Sequence, residues 1–221
     1  LNIFGVTDLN WLYRIGKIVV GAFFRLFTRL QVKGKENVPR KGAVLVVSNH
    51  LNFSDPALLG SFLGRQLTFM AKQELFRFRL WAWFLSSLGA FPVHRGRLDR
   101  EAIRQSERAL AGGKALLMFP EATRSPNARL QRALPGSALI AVRHSVPILP
   151  VGISGMEELG KAFWIFRRPR ITINIGPTFS LPEAGSRLTK EELAENTELI
   201  MRRIAELLPP EYRGVYGDKA K

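Results

Sequence analysis

The residues that first invite chemistry are His50 and Asp55, in the run Asn49-His50-Leu51-Asn52-Phe53-Ser54-Asp55. A five-residue step turns a regular helix by about 140°, so the two do not share a helical face. They meet if His50 leaves a strand and Asp55 opens the helix that follows. Paired in that way, the carboxylate fixes the imidazole tautomer and stabilises the protonated ring, which makes His50 a general base. The spacing alone is weak evidence, because three His and four Asp in 221 residues produce it by chance in about one such chain in twenty. The plainer reading is a polar loop in which Asp55 caps a helix.

Two further loops carry polar side chains directly after apolar runs. In Gly89-Ala90-Phe91-Pro92-Val93-His94-Arg95-Gly96, Arg95 can present its planar fork to a phosphate, or it can be a solvated surface arginine. His94 beside it is given no role. In Phe119-Pro120-Glu121-Ala122-Thr123-Arg124-Ser125, Glu121 and Arg124 make either a structural ion pair or an arginine oriented for an anionic ligand. In the second case the carboxylate accepts from a substrate hydroxyl, and Thr123 adds a hydroxyl donor. A fourth feature, Val146-Pro147-Ile148-Leu149-Pro150-Val151-Gly152-Ile153, is apolar with prolines at 147 and 150, as a pocket wall or an edge strand would be.

Elements must hold these loops in place. Short apolar runs predict strands over 43–48, 67–71, 91–93, 115–119, 146–153 and 171–175. Helices are expected over 8–30 with Asp8 as N-cap, after Pro56, over 97–111, over 135–143 and over 188–208. Thr189 and Glu192 resemble a capping box for the last of them. Strands alternating with helices predict a single α/β domain, with a mostly parallel or mixed central sheet flanked by helices. Polar residues just past strand C-termini lie where open α/β sheets place their sites.

Composition narrows the partners. The chain has no cysteine, which excludes disulfides, thiolate metal sites and a cysteine nucleophile, and three histidines leave little for a metal site. The net charge is +15, and residues 1–182 carry 26 basic against 10 acidic side chains. Such an imbalance predicts an anionic partner: nucleic acid, an anionic membrane surface or phosphorylated substrates. No helix-turn-helix, zinc-finger spacing or RNP-like aromatic motif is present, so nucleic acid is not expected. Residues 11–30 interleave apolar and aromatic side chains with Arg14, Lys17, Arg25 and Arg29. They predict a helix lying in a membrane interface rather than spanning it or serving as a signal peptide. The expected division is therefore a membrane-associated segment over 1–30 and a catalytic domain over 31–221. The aromatic stretch 75–85 is a second candidate for membrane contact.

The four loops, in this order, resemble the glycerolipid acyltransferase family, which includes the bacterial 1-acyl-glycerol-3-phosphate acyltransferases. Its N-H-x4-D motif matches Asn49, His50 and Asp55. Its glycine–aromatic–arginine motif matches Gly89, Phe91 and Arg95. The third motif is Phe119, Pro120 and Glu121 through Ser125, and the proline-rich fourth contains Pro147 and Pro150. The resemblance covers roughly residues 30–180. It implies the glycerol-3-phosphate acyltransferase-like fold and direct acyl transfer to the sn-2 hydroxyl of 1-acyl-glycerol-3-phosphate, without an acyl-enzyme. His50 and Asp55 would be catalytic, and Arg95, Glu121, Thr123 and Arg124 would bind the acceptor. Acyl-CoA or acyl carrier protein would be the donor, with no cofactor, at the cytoplasmic face of a bacterial inner membrane. A headgroup-bearing lysophospholipid, glycerol-3-phosphate or a glycolipid stays open as acceptor, as does an inactive lipid-binding relative. Two departures stand out. Ala122 replaces a usual glycine, which predicts a backbone there without positive φ. Leu134-Pro135 stands before Gly136 where many members have Phe-Lys.

Overall fold

The structure, a computed structural model, describes residues 10–94, 99–182 and 188–217. Seven strands form one sheet: β1 (Arg29–Lys33), β2 (Val44–Ser48), β3 (Leu67–Lys72), β4 (Ala90–Val93), β5 (Ala115–Met118), β6 (Ile148–Ser154) and β7 (Arg170–Ile175). Their order is β1-β7-β6-β2-β5-β3-β4. The neighbours from β6 through β2, β5 and β3 to β4 are parallel, and β7 turns the sheet mixed by pairing antiparallel with β6. The helices are α1 (Asn10–Phe27), α2 (Asp55–Phe62), α3 (Arg79–Ser87), α4 (Arg100–Ala111), α5 (Gly136–His144), α6 (Trp164–Arg167) and α7 (Lys190–Ala205).

Strand alternation divides the core between two faces. Val44 and Val46 of β2 pack with Phe24 of α1, Leu58 and Leu59 of α2 and Leu85 of α3. Leu45 and Val47 face Ala102 and Leu110 of α4, Ile140 of α5 and Ile204 of α7. A strand covered on both sides has no polar period to show, and all five residues of β2 are buried. Because β2, β4, β5 and β6 run parallel, their C-terminal ends emerge along one edge, carrying the predicted loops with them. The Thr189–Glu192 capping box at the start of α7 is present.

The structure differs from expectation in three places. The first helix ends at Phe27, and Arg29–Lys33 is a strand. Leu30 and Val32 turn inward while Arg29, Gln31 and Lys33 face out, a period of two hidden in sequence by the apolar helix before it. Charged residues on such an edge discourage pairing with another chain. Secondly, the 146–153 run is not an edge strand, since β6 lies between β7 and β2. Pro150 is accommodated where the ladder to the next strand breaks. Its carbonyl accepts from Gly176 N–H, between the β7 pairing and an isolated Ile148–Phe179 bridge. Thirdly, two helices form that the sequence did not announce: Arg79–Ser87 within the aromatic stretch, and the single turn Trp164–Arg167. Asp8 lies outside the described residues.

Candidate active site

β2 delivers Asn49 and His50 to the edge of the sheet. The Asn49 side chain accepts from Ile153 N–H and donates to Ile153 O, both at 2.8 Å, extending the β2–β6 contact by one amide. His50 follows, 6% exposed, with its ring stacked on Phe119 at 4.1 Å between centroids. Asp55, the fully buried first residue of α2, closes the loop. Its Oδ2 accepts from Leu51 N–H at 2.7 Å, from Asn52 N–H at 2.8 Å and from His50 Nδ1 at 2.8 Å. An ionised carboxylate can only accept, so this geometry favours the tautomer with the proton on Nδ1, the one in which a neutral ring has its lone pair on Nε2. The spacing expected to bring the pair together from strand exit to helix start does so.

The third loop leaves β5 beside it. Glu121 is buried, and both oxygens are engaged by main chain: Oε1 accepts from His50 N–H at 3.2 Å and Oε2 from Gln131 N–H at 2.9 Å. Burial pushes this carboxyl up to about 7, helped by the charge of Asp55 and opposed by the two N–H donors. Ser125 N–H donates to His50 O at 2.8 Å, so the loop holds the histidine backbone from both sides. Thr123 and Arg124 are exposed. Glu121 and Arg124 form no ion pair among the described residues. The expectation for Ala122 is overturned: it takes φ +57, so this turn keeps a left-handed backbone without glycine. Its N–H donates to Phe119 O at 2.9 Å, closing a tight turn just past β5.

Gly89 is required by geometry. At φ +87 a Cβ would lie 2.2 Å from Leu67 O, so a side chain would push β4 off β3. Arg95 lies outside the described residues. Pro147 and Pro150 support the β6–β2 pairing, Pro147 O accepting from Leu45 N–H, and the pocket-wall reading fails because neither lines the cavity beside His50. That cavity, of about 600 Å³, runs from His50 and Phe119 between α4 and α5, past Met70, Ile103, Met118 and Ile140. Leu134 and Pro135 stand at its wall, where the family resemblance would place a lysine.

Sequence reasoning passed over His94. It lines the same cavity and pairs through Nδ1 with Asp99 Oδ2 at 3.0 Å. The signal was available, since His94 and Asp99 repeat the five-residue spacing of His50 and Asp55. Asp99 is also the N-cap of α4, its Oδ1 accepting from Glu101 and Ala102 N–H.

A buried His–Asp pair thus faces an aliphatic cavity at the C-terminal edge of an α/β sheet, the arrangement of an enzyme site for an apolar substrate. Residues 29–154 match the family model described as Acyltransferase. The chain is 31% identical to the 1-acyl-sn-glycerol-3-phosphate acyltransferase of Bacillus subtilis, over 80% of this chain and 87% of that protein. It is 27% identical to the enzyme of the same name from Pseudomonas aeruginosa, over 84% of this chain and 72% of that one. The crystal structure of the 1-acyl-sn-glycerophosphate acyltransferase PlsC from Thermotoga maritima superposes with a TM-score of 0.71 at 29% identity. That match covers 90% of this chain and 80% of the other. The chain belongs to the acyltransferase family.

Proposed function

We propose that the chain transfers a fatty acyl group from acyl-CoA or acyl carrier protein to the sn-2 hydroxyl of 1-acyl-glycerol-3-phosphate, giving phosphatidic acid. The carrying observation is the buried His50–Asp55 pair on the wall of an aliphatic cavity, in a chain related to 1-acyl-sn-glycerol-3-phosphate acyltransferases. His50 Nε2 takes the acceptor's hydroxyl proton as its oxygen bonds to the thioester carbonyl carbon. Asp55 balances the imidazolium. When the tetrahedral intermediate collapses, the C–S bond breaks and the thiolate leaves with the proton from His50. General-base help of this kind is worth about 10²–10⁴ in rate. The cavity between α4 and α5 takes an acyl chain, and no cofactor beyond the acyl carrier is needed. Arg95, Thr123 and Arg124 contact the acceptor's phosphate and glycerol. Glu121 braces the His50 backbone with one N–H on each oxygen and keeps further lone pairs with which to accept from the acceptor's hydroxyl.

The substrates are amphiphiles, and the chain offers a surface for the membrane that holds them. No helix among the described residues is long and apolar enough to cross a bilayer. The outer face of α1 exposes Trp11, Ile18, Val19 and Leu26 among Arg14, Lys17 and Arg25. Phe23 of α1 meets Trp164 of α6 edge to face, which adds the exposed Phe163 and Phe166 to that surface. This pattern suits peripheral seating on anionic lipid, at the cytoplasmic face of a bacterial inner membrane. Replacing Ile18 and Val19 together by Asp should abolish sedimentation with phosphatidylglycerol vesicles, and retained binding would count against this surface.

The activity test is coenzyme A release in mixed micelles with wild type and His50→Ala. Lysophosphatidic acid, glycerol-3-phosphate and headgroup-bearing lysolipids serve as acceptors. Release with lysophosphatidic acid that is lost in His50→Ala supports the reading. Release only with another acceptor would trace to Leu134 and Pro135, and silence with thioesters of both carriers would overturn the reading.

A further inference from the structure

One wall of the His50 cavity holds donors that the acyl transfer described above does not use. It is the first turn of α5. Pro135 occupies the N-cap position and offers no side-chain cap. Leu139 N–H returns to Pro135 O at 2.9 Å, and the N–H groups of Gly136, Ser137 and Ala138 lie beyond the reach of the helix's own carbonyls. Ser137 lines the cavity at 2% exposure, and its Oγ has no hydrogen-bond partner among the described residues. A buried hydroxyl left in that state destabilises a fold. A ligand that accepts its proton would remove the penalty.

The surroundings say which ligand. No Lys or Arg lines the cavity among the described residues, and the wall around Ser137 is built from Met118, Leu139 and Ile140. A phosphate dianion beside Ser137 would meet apolar side chains and no basic one among the described residues of the wall. A single oxygen that becomes charged only during reaction suits neutral O–H and N–H donors at the positive end of a helix. Gly136 leaves room for such an approach, because a Cβ there would come no nearer than 4.0 Å to Met118 Cε.

We propose that the N-terminal turn of α5, with the Ser137 hydroxyl, is the oxyanion site of the transfer. The inference rests on the acyl-transfer reading. As the acceptor oxygen forms its bond to the carbonyl carbon, the carbonyl π electrons move onto oxygen, and this turn receives that charge. On collapse they reform the double bond and expel the sulfur.

The test is Ser137→Ala in the full chain, with His50→Ala alongside, measuring kcat, both KM values and the melting temperature. The expected result is a loss on the order of 10²-fold in kcat, with KM unchanged and a melting temperature equal to or above wild type. A raised KM for lysophosphatidic acid at constant kcat would overturn the proposal by making the turn a phosphate site. A lowered melting temperature accompanying the lost rate would make the hydroxyl structural. An acyl adduct on Ser137, seen by intact mass in wild type, would make it a nucleophile. Unchanged kinetics would remove it from the reaction. If His50→Ala kept full activity, the base assignment would fall. The Ser137→Ala result on kcat would still decide the oxyanion site, because the carbonyl oxygen charges whichever group takes the proton.

Discussion

The chain uses the same His-x4-Asp spacing twice, at His50/Asp55 and His94/Asp99, and both histidines reach one cavity. Each aspartate stands at a helix N-terminus, and each Oδ2 meets an imidazole Nδ1, at 2.8 Å and 3.0 Å. What surrounds them differs. The His50 and Asp55 side chains are 8% and 0% exposed, against 47% and 12% for the second pair. His50 is held by Phe119 at its ring and by Glu121 and Ser125 at its backbone. His94 is hydrogen-bonded to Asp99, whose carboxyl is drawn far below its ordinary value by the backbone N–H groups of His94 and Ala102. An exposed pair is screened by water, whereas a buried and braced one keeps its orientation and its charge coupling. Spacing brings a histidine to an aspartate, and in the proposed mechanism it is the enclosing loop that makes one pair a base.

The largest expected effect tests that distinction directly. His50→Ala should lower kcat by about 10²–10⁴, while His94→Ala should leave it within a few-fold of wild type. Equal losses would break the comparison and bring the exposed pair into the chemistry. The aspartates should separate in a different currency. Asp55→Asn is expected to lower kcat on the order of 10²-fold, since the amide cannot balance an imidazolium. Asp99→Ala removes a helix cap and should cost about 1 kcal/mol of unfolding free energy, read as a shifted urea midpoint at nearly unchanged kcat.

Glu121 belongs to the His50 side only, and its elevated carboxyl makes the brace sensitive to pH. Ionised, it accepts both N–H groups; protonated, one oxygen carries a proton and the grip on the loop weakens. Its contribution to kcat should therefore decline as pH falls through about 7, and that component should be absent from Glu121→Gln, which slows the enzyme several-fold throughout. Stability runs the other way. A folded-state value near 7 lies above the ordinary 4.5, so the carboxyl favours the fold most below pH 4.5 and progressively less as pH rises toward 7. Unfolding free energies of Glu121→Gln should lack that decline.

Much of this site was readable from sequence because its determinants are local. His50 follows an apolar β-branched run and Asp55 stands beside Pro56 at a helix start, so strand exit, loop and helix entry lie within a few residues. Most strands of the sheet were equally accessible through the short apolar runs. What escaped depends on partners distant in sequence. Arg29–Lys33 becomes a strand by pairing with Arg170–Asn174. Pro150 sits inside the sheet because the ladder opposite it breaks at Gly176. Glu121 braces the backbone of His50 and Gln131, where an ion pair with Arg124 was one expectation. Ser137 gains meaning only from the cavity between α4 and α5.

The smallest expected effect concerns the turn that carries the brace. Ala122 holds φ +57 directly after Glu121. A Cβ in that conformation costs about 1–2 kcal/mol, whereas glycine adds about 0.4–1 kcal/mol of unfolded-chain entropy to be lost on folding. Ala122→Gly should therefore stabilise the protein by about 0.5–1 kcal/mol, measured by urea unfolding. If kcat stays unchanged, the hydrogen bonds of Glu121 and Ser125 alone suffice to hold His50. If the protein becomes more stable yet slower, the stiffness of alanine at that turn is itself part of what holds the His50 loop. Destabilisation would show that the turn is not strained, and the contrast would then rest on burial and hydrogen bonding without any contribution from the backbone.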